Sequence, residues 1–208
     1  MIRTFLAVEL SEPLRTTLAT IQSDLKQRLA KALTRDVNIS WVRPASLHVT
    51  VKFLGDIDEG LVLPLKEAIM ELLKAHGPIV VPVNRLGAFP RPQQPRVLWA
   101  GPSAQWERGE DASRLAVLDR AIDACCGSLN LATDSRPLSA HLTLARVKAG
   151  ERVVGQLLAQ SGVMDRSFTC ESLDINAIAL MKSELKPSGS VYTRLWDVRV
   201  GRGNGVGE

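Results

Sequence analysis

Two short segments of this chain carry the same pattern, and between them they restrict the fold more than any other feature. Leu47-His48-Val49-Thr50-Val51 recurs as Ala140-His141-Leu142-Thr143-Leu144, with the two histidines 93 positions apart. In an extended strand, residues i and i+2 share one face about 6.5–7 Å apart, while i+1 and i+3 point the other way. His48 and Thr50 therefore project together, and Val49 and Val51 seat the opposite face in a core. His141 and Thr143 do the same above Leu142 and Leu144. A chain built this way needs two strands, each with a polar face on a cleft and an apolar face covered by other elements.

The rest of the sequence supplies that cover. Residues 3–10 read as an apolar strand. Ser11 is an N-cap and Pro13 a first-turn proline, opening a helix in which Leu14, Leu18, Ile21, Leu25 and Leu29 recur at helical spacing to about Leu33. A short strand at 39–42 and an Arg43-Pro44 turn lead into a strong strand at 47–54, which Gly55-Asp56 is expected to end. A second helix spans 58–75 and stops at His76-Gly77-Pro78. Strands follow at 79–83 and 97–100, separated by a proline-rich loop at 89–95. The second half repeats the grammar: helix 111–130, strand 140–147, helix 152–160, then strands at 167–173, 176–182 and 191–200. The expected fold is α+β and bilobal, with two pseudo-symmetric lobes of antiparallel sheet flanked by helices around one central cleft. Residues 1–200 read as one such domain and 201–208 as a flexible glycine-rich tail.

Composition removes several alternatives. With 45% hydrophobic and 23% charged residues, wholesale disorder is excluded. No apolar run approaches the ~18–20 residues of a membrane span. Glu9 interrupts the N-terminal apolar stretch too early for a secretory leader, so a cytoplasmic protein with no membrane partner is expected. The net charge of +4 permits an anionic partner, but the basic residues are scattered rather than gathered in a block. Cys125, Cys126 and Cys170 form neither a disulfide framework nor a zinc-ligand spacing. They read as structural thiols.

Only three histidines are present, and two of them lie in the repeat. A neutral imidazole removes a proton from a nucleophile while an imidazolium protonates a leaving oxygen. Histidine titrates near pH 6.5, so both forms are accessible around neutrality. Threonine hydroxyls donate to the non-bridging oxygens of a phosphate. Two such pairs across a cleft fit phosphodiester chemistry with no metal and no cofactor. Zinc is the nearest rival for paired histidines, but hydrolytic sites add a third histidine or a carboxylate, and His76 sits at a helix end with no such neighbours.

These residues resemble the 2H phosphoesterase superfamily, named for two HxT motifs, and within it the RNA 2′,3′-cyclic phosphodiesterases, also described as 2′-5′ RNA ligases. The likeness runs through residues 3–8, 41–55, 87–90, 95–101, 141–146 and 190–193. It implies His48 as proton donor to the leaving 3′-oxygen, His141 as the base that activates water, Thr50 and Thr143 as phosphate holders, and a 2′-phosphomonoester product. The family commonly has proline before the second histidine, where this chain has Ala140. Arg146 matches an arginine at the end of the second motif. Strict alternation puts it on the face opposite His141, so it reaches a phosphate only if the strand ends or bulges there, with a surface or lobe-packing arginine as the competing role. Phe5 and Tyr192 are candidates for a base-binding wall, since aromatic rings stack on unpaired bases, with core packing as the competing role. The partner implied is an RNA with a 2′,3′-cyclic phosphate end, or a cyclic nucleotide, acted on by a monomer. Ligation of tRNA half-molecules in the same site and non-catalytic binding of RNA ends are the alternatives.

Overall fold

Ser11 caps the first helix as its position predicts: its Oγ accepts from the Leu14 N–H at 3.3 Å. The chain enters that helix, α1 (Glu12–Ala30), from strand β1 (Ile2–Glu9). A computed structural model describes residues 1–30, 35–133, 137–187 and 189–201. The helical end expected at 31–33 and the tail at 202–208 lie outside the described residues.

Two four-stranded antiparallel sheets carry the architecture. The first is built from β1, β3 (His48–Ile57), β9 (Ala177–Lys186) and β10 (Gly189–Arg199), in the order β10-β9-β1-β3. The second contains β2 (Asn38–Trp41), β5 (Arg85–Phe89), β6 (Val97–Gly101) and β7 (Leu142–Ala149), in the order β2-β7-β6-β5. Strands β4 (Ile79–Val81) and β8 (Leu173–Ile175) pair separately. The first sheet holds His48 and Thr50 in β3, and the second holds Thr143 in β7, with His141 on the residue just before that strand rather than inside the expected strand at 140–147. The sheets do not follow the halves of the chain. The C-terminal hairpin β9–β10 completes the first sheet, and β2 from the N-terminal half completes the second.

The remaining helices are α2 (Val62–Leu73), α3 (Glu110–Ser128) and α4 (Glu151–Ser161). Helix α2 packs on β10, where the Trp196 indole N–H donates to the Val62 carbonyl at 3.0 Å, and α3 lies beside α2. Helices α1 and α4 pack together and back the second sheet. The buried stripe of α1 is Leu14, Leu18, Gln22, Leu25 and Leu29, so the inward position is Gln22 rather than the expected Ile21.

Several strand boundaries differ from expectation. β3 does not end at Gly55; it continues to Ile57 because Gly55, at φ +71°, absorbs a bulge opposite Thr4 and Phe5. Phe89 belongs to β5, a strand the sequence hid by placing Gly87 at its centre. That glycine leaves room for Trp99, since a Cβ there would lie 1.9 Å from the indole. Of residues 167–173, only Ser167 forms a bridge, to Arg85, and Leu173 begins the ladder of β8.

Candidate active site

The two motifs meet in one cleft of about 290 Å³, lined by His48, Thr50, His141, Thr143 and Arg146 together with Phe5, Phe53 and Tyr192. Each histidine is fixed in the same way. His48 Nδ1 lies 2.8 Å from the Ser46 carbonyl, and His141 Nδ1 lies 2.9 Å from the Ser139 carbonyl. A carbonyl only accepts, so Nδ1 carries the proton in both rings and Nε2 is the atom turned to the cleft. Thr50 Oγ1 sits 3.1 Å from His48 Nε2. His141 Nε2 has no hydrogen-bond partner among the described residues, which leaves its lone pair available. The matching carbonyls expose a longer repeat than His-x-Thr alone: Arg43-Pro44-x-Ser46-x-His48-x-Thr50 and Arg136-Pro137-x-Ser139-x-His141-x-Thr143. That wider register was legible in the sequence and identifies the serines whose carbonyls hold the rings.

Aromatic residues support both imidazoles. Phe5 and Tyr192 flank His48 at 4.9 and 5.2 Å between ring centres. Phe89 and Trp99 flank His141 at 5.0 and 6.4 Å. Phe5 is 3% exposed, so it backs the His48 ring, whereas Tyr192 is half-buried on the cleft wall. Phe53, 65% exposed on the same cleft, presents an apolar face that the sequence reading missed. Its signal was its place: Phe53 occupies in the first motif the position of Arg146 in the second.

Arg146 reaches the cleft through a strand irregularity. Trp99 pairs with Thr143 and Leu98 with Ala145, so Leu144 is the extra residue of a bulge in β7. Leu144 and Ala145 are both buried, and Arg146 emerges on the face of His141 and Thr143. The bulge has its own holder. Gln22 Nε2 donates to the Leu144 carbonyl at 2.8 Å and to the Val42 carbonyl at 2.7 Å, and the Val42 N–H donates to the Leu144 carbonyl at 2.9 Å. In β3 the corresponding bulge at Val51 turns Lys52 inward, where it pairs with Asp123 of α3. One helical turn earlier, Asp119 accepts from the Leu138 N–H at 2.9 Å, on the approach to His141. Helix α3 therefore grips the strand of one histidine and the loop of the other.

Electrostatics favour neutral rings in the cleft. Burial holds His48 below its usual value, the Ser46 carbonyl opposes that, Arg146 and His141 push the same way as burial, and Glu9 opposes them. His141 is also lowered, by burial and then by Arg146, against its own carbonyl bond to Ser139. Glu9 acts on His48 alone because it is the cross-strand partner of that histidine in β1. Arg146 has no ion-pair partner among the described residues, so its charge is directed at the cleft. Also among the described residues, no group of three His, Cys, Asp or Glu side chains gathers as a metal donor set, and no helix is long and apolar enough to cross a membrane.

Several known proteins are similar to this chain. The family described as LigT like Phosphoesterase matches residues 8–99, a span that contains the first motif. A crystal structure of TT0787 from Thermus thermophilus aligns over 97% of this chain and 99% of its own, with a TM-score of 0.70 and 25% identity. The protein named RNA 2′,3′-cyclic phosphodiesterase in Aquifex aeolicus is 28% identical over 82% of this chain and 87% of its own. Its counterpart of the same name in Methanothermobacter thermautotrophicus is 31% identical over 92% of this chain and 95% of its own. Identity at that level across nearly the whole of both sequences shows that the chain belongs to the LigT-like phosphoesterases of the 2H superfamily.

Proposed function

We propose that this protein opens the 2′,3′-cyclic phosphate end of RNA, or of a nucleotide, to a 2′-phosphomonoester without a metal or other cofactor. The observation that carries the proposal is the convergence of two carbonyl-anchored histidines, two threonine hydroxyls and one uncompensated arginine on a single cleft. The names of the relatives point to the same substrate class.

His141 accepts the proton of a water molecule on Nε2 as the water oxygen bonds to phosphorus. The bond from phosphorus to the 3′-oxygen breaks, and that oxygen takes a proton from His48 Nε2, leaving a 3′-hydroxyl and a 2′-phosphate. Glu9 supports this division of labour, since it favours the imidazolium of His48 and leaves His141 untouched. Arg146 and the hydroxyls of Thr50 and Thr143 stabilise the charge that grows on the non-bridging oxygens. Tyr192 and the exposed ring of Phe53 form the wall for the base, and Phe5 holds His48 in place. Both sheets contribute to the cleft, so residues 1–200 work as one unit. Incubating the protein with a 2′,3′-cyclic oligonucleotide in EDTA tests the proposal. Steady hydrolysis is expected, and activity that disappears with EDTA and returns with zinc would sink it.

A further inference from the structure

A second groove, of about 470 Å³, opens on the far side of His48 and shares Ser46, His48 and Tyr192 with the cleft. Three guanidinium groups line it, those of Arg15, Arg43 and Arg194, against the single carboxylate of Glu9. Two of the three are held by neutral acceptors. Arg15 donates to the Pro44 carbonyl at 3.0 Å and to the Leu10 carbonyl at 3.4 Å, and Arg43 donates to the Ser190 carbonyl at 2.7 Å. Such bonds fix a guanidinium in place without cancelling its charge. Arg194 pairs with Glu9 at 2.9 Å. Two more carboxylates stand outside the groove, Glu12 at 3.3 Å from Arg15 and Asp197 at 3.8 Å from Arg194, both exposed and therefore weak partners.

The opposite side of the cleft is different. Beyond His141 the surface is formed by Phe89, Pro137, Leu138 and Asp119, and its lysine, Lys52, is already paired with Asp123. The His48 side thus gathers three guanidinium groups, whereas the described cations on the His141 side are the paired Lys52 and the cleft's own Arg146.

We infer that the arginine groove binds the phosphate on the 5′ side of the terminal nucleotide, and so selects RNA ends or 5′-phosphorylated nucleotides over bare cyclic nucleosides. The inference rests on the proposed reaction. If His48 protonates the 3′-oxygen, the ribose lies against His48, and the phosphate on its 5′-carbon leaves the cleft on that side.

The test compares three substrates: a nucleoside 2′,3′-cyclic phosphate, the same compound with a 5′-phosphate, and a dinucleotide with a cyclic end. In the natural protein kcat/KM should rise about 10- to 100-fold when the 5′-phosphate is added. The dinucleotide should show the same gain, with a log–log salt slope steeper by about 0.7. In Arg43→Gln/Arg194→Gln the gain should collapse toward one, and in Glu9→Gln it should grow. The reading is the ratio within each protein, so losses common to all substrates cancel. A ratio near one in the natural protein, or an undiminished ratio in the arginine variant, would overturn the inference and leave the reaction standing. Absence of turnover on every cyclic phosphate would instead remove the reaction and the groove's role with it.

Discussion

Replacing Gln22 by leucine should disarm the site from the opposite side of the second sheet. Gln22 is 1% exposed and spends both amide protons on carbonyls, Val42 at 2.7 Å and Leu144 at 2.8 Å. Leucine keeps most of the volume and removes both bonds. The Leu144 carbonyl retains its bond from the Val42 N–H, but the Val42 carbonyl has no other donor among the described residues to replace the amide. Two hydrogen bonds at about 0.5–1.5 kcal/mol each, with one buried acceptor orphaned, predict a loss of roughly 2–3 kcal/mol. For a chain of this size that is a fall in Tm of about 4–12 °C. The functional effect runs through the bulge at Leu144, which turns Arg146 to the cleft. A small misplacement of a charge-stabilising group costs about 100-fold in turnover. Urea denaturation reads the first quantity and steady-state hydrolysis of a cyclic nucleotide the second. The double variant Gln22→Leu/Arg146→Met separates the two, because it should keep the stability loss yet be no slower than Arg146→Met alone. Fully additive losses in turnover would refute the link between Gln22 and Arg146.

Other consequences can be checked with the same assays. Arg146→Met should lower kcat/KM by about 10²–10³-fold, the cost of removing one charge-stabilising donor. The proposed reaction needs His48 protonated and His141 neutral, and burial lowers both, so on that proposal the natural pH optimum should lie below about 6.5 and activity should fall away as His48 loses its proton. Arg146→Met takes a cation from beside both rings, raises both and moves the bell to higher pH; an unmoved profile would contradict this. Asp119→Ala should cut kcat about tenfold or more with little change in KM, and Asp119→Asn, whose carbonyl still accepts from Leu138, should restore most of it. Equal loss in both would mean that charge, not the hydrogen bond, matters at Asp119. Gly87→Ala drives a methyl into Trp99 and should cost about 1–3 kcal/mol in a melting experiment, with reduced turnover because that indole flanks His141. A variant as stable as the natural protein would count against the packing argument.

Much of the site was legible in the sequence. His48, Thr50, His141 and Thr143 announce themselves because a two-residue period has only one structural meaning in a strand. What escaped the sequence was everything that depends on a broken period. Alternation assigns Arg146 to the wrong face, and only the bulge, held by a glutamine 122 positions from Leu144, corrects it. That glutamine still left a trace, as the polar residue in the buried leucine row of α1. β5 was hidden because Gly87, chosen for the space Trp99 needs, interrupts an otherwise apolar strand. The assignment of strands to sheets was also out of reach, since local pattern cannot say that β2 crosses to β7 or that β9 returns to β1.

The most direct test of the two-histidine account is the identity and rate of the product formed from a 2′,3′-cyclic nucleotide in EDTA. Chromatography should show the 2′-monophosphate alone, and His48→Ala and His141→Ala, folded as judged by melting, should each lose about 10²–10⁴-fold in turnover. A 3′-monophosphate product, or near-normal hydrolysis by both histidine variants, would contradict it.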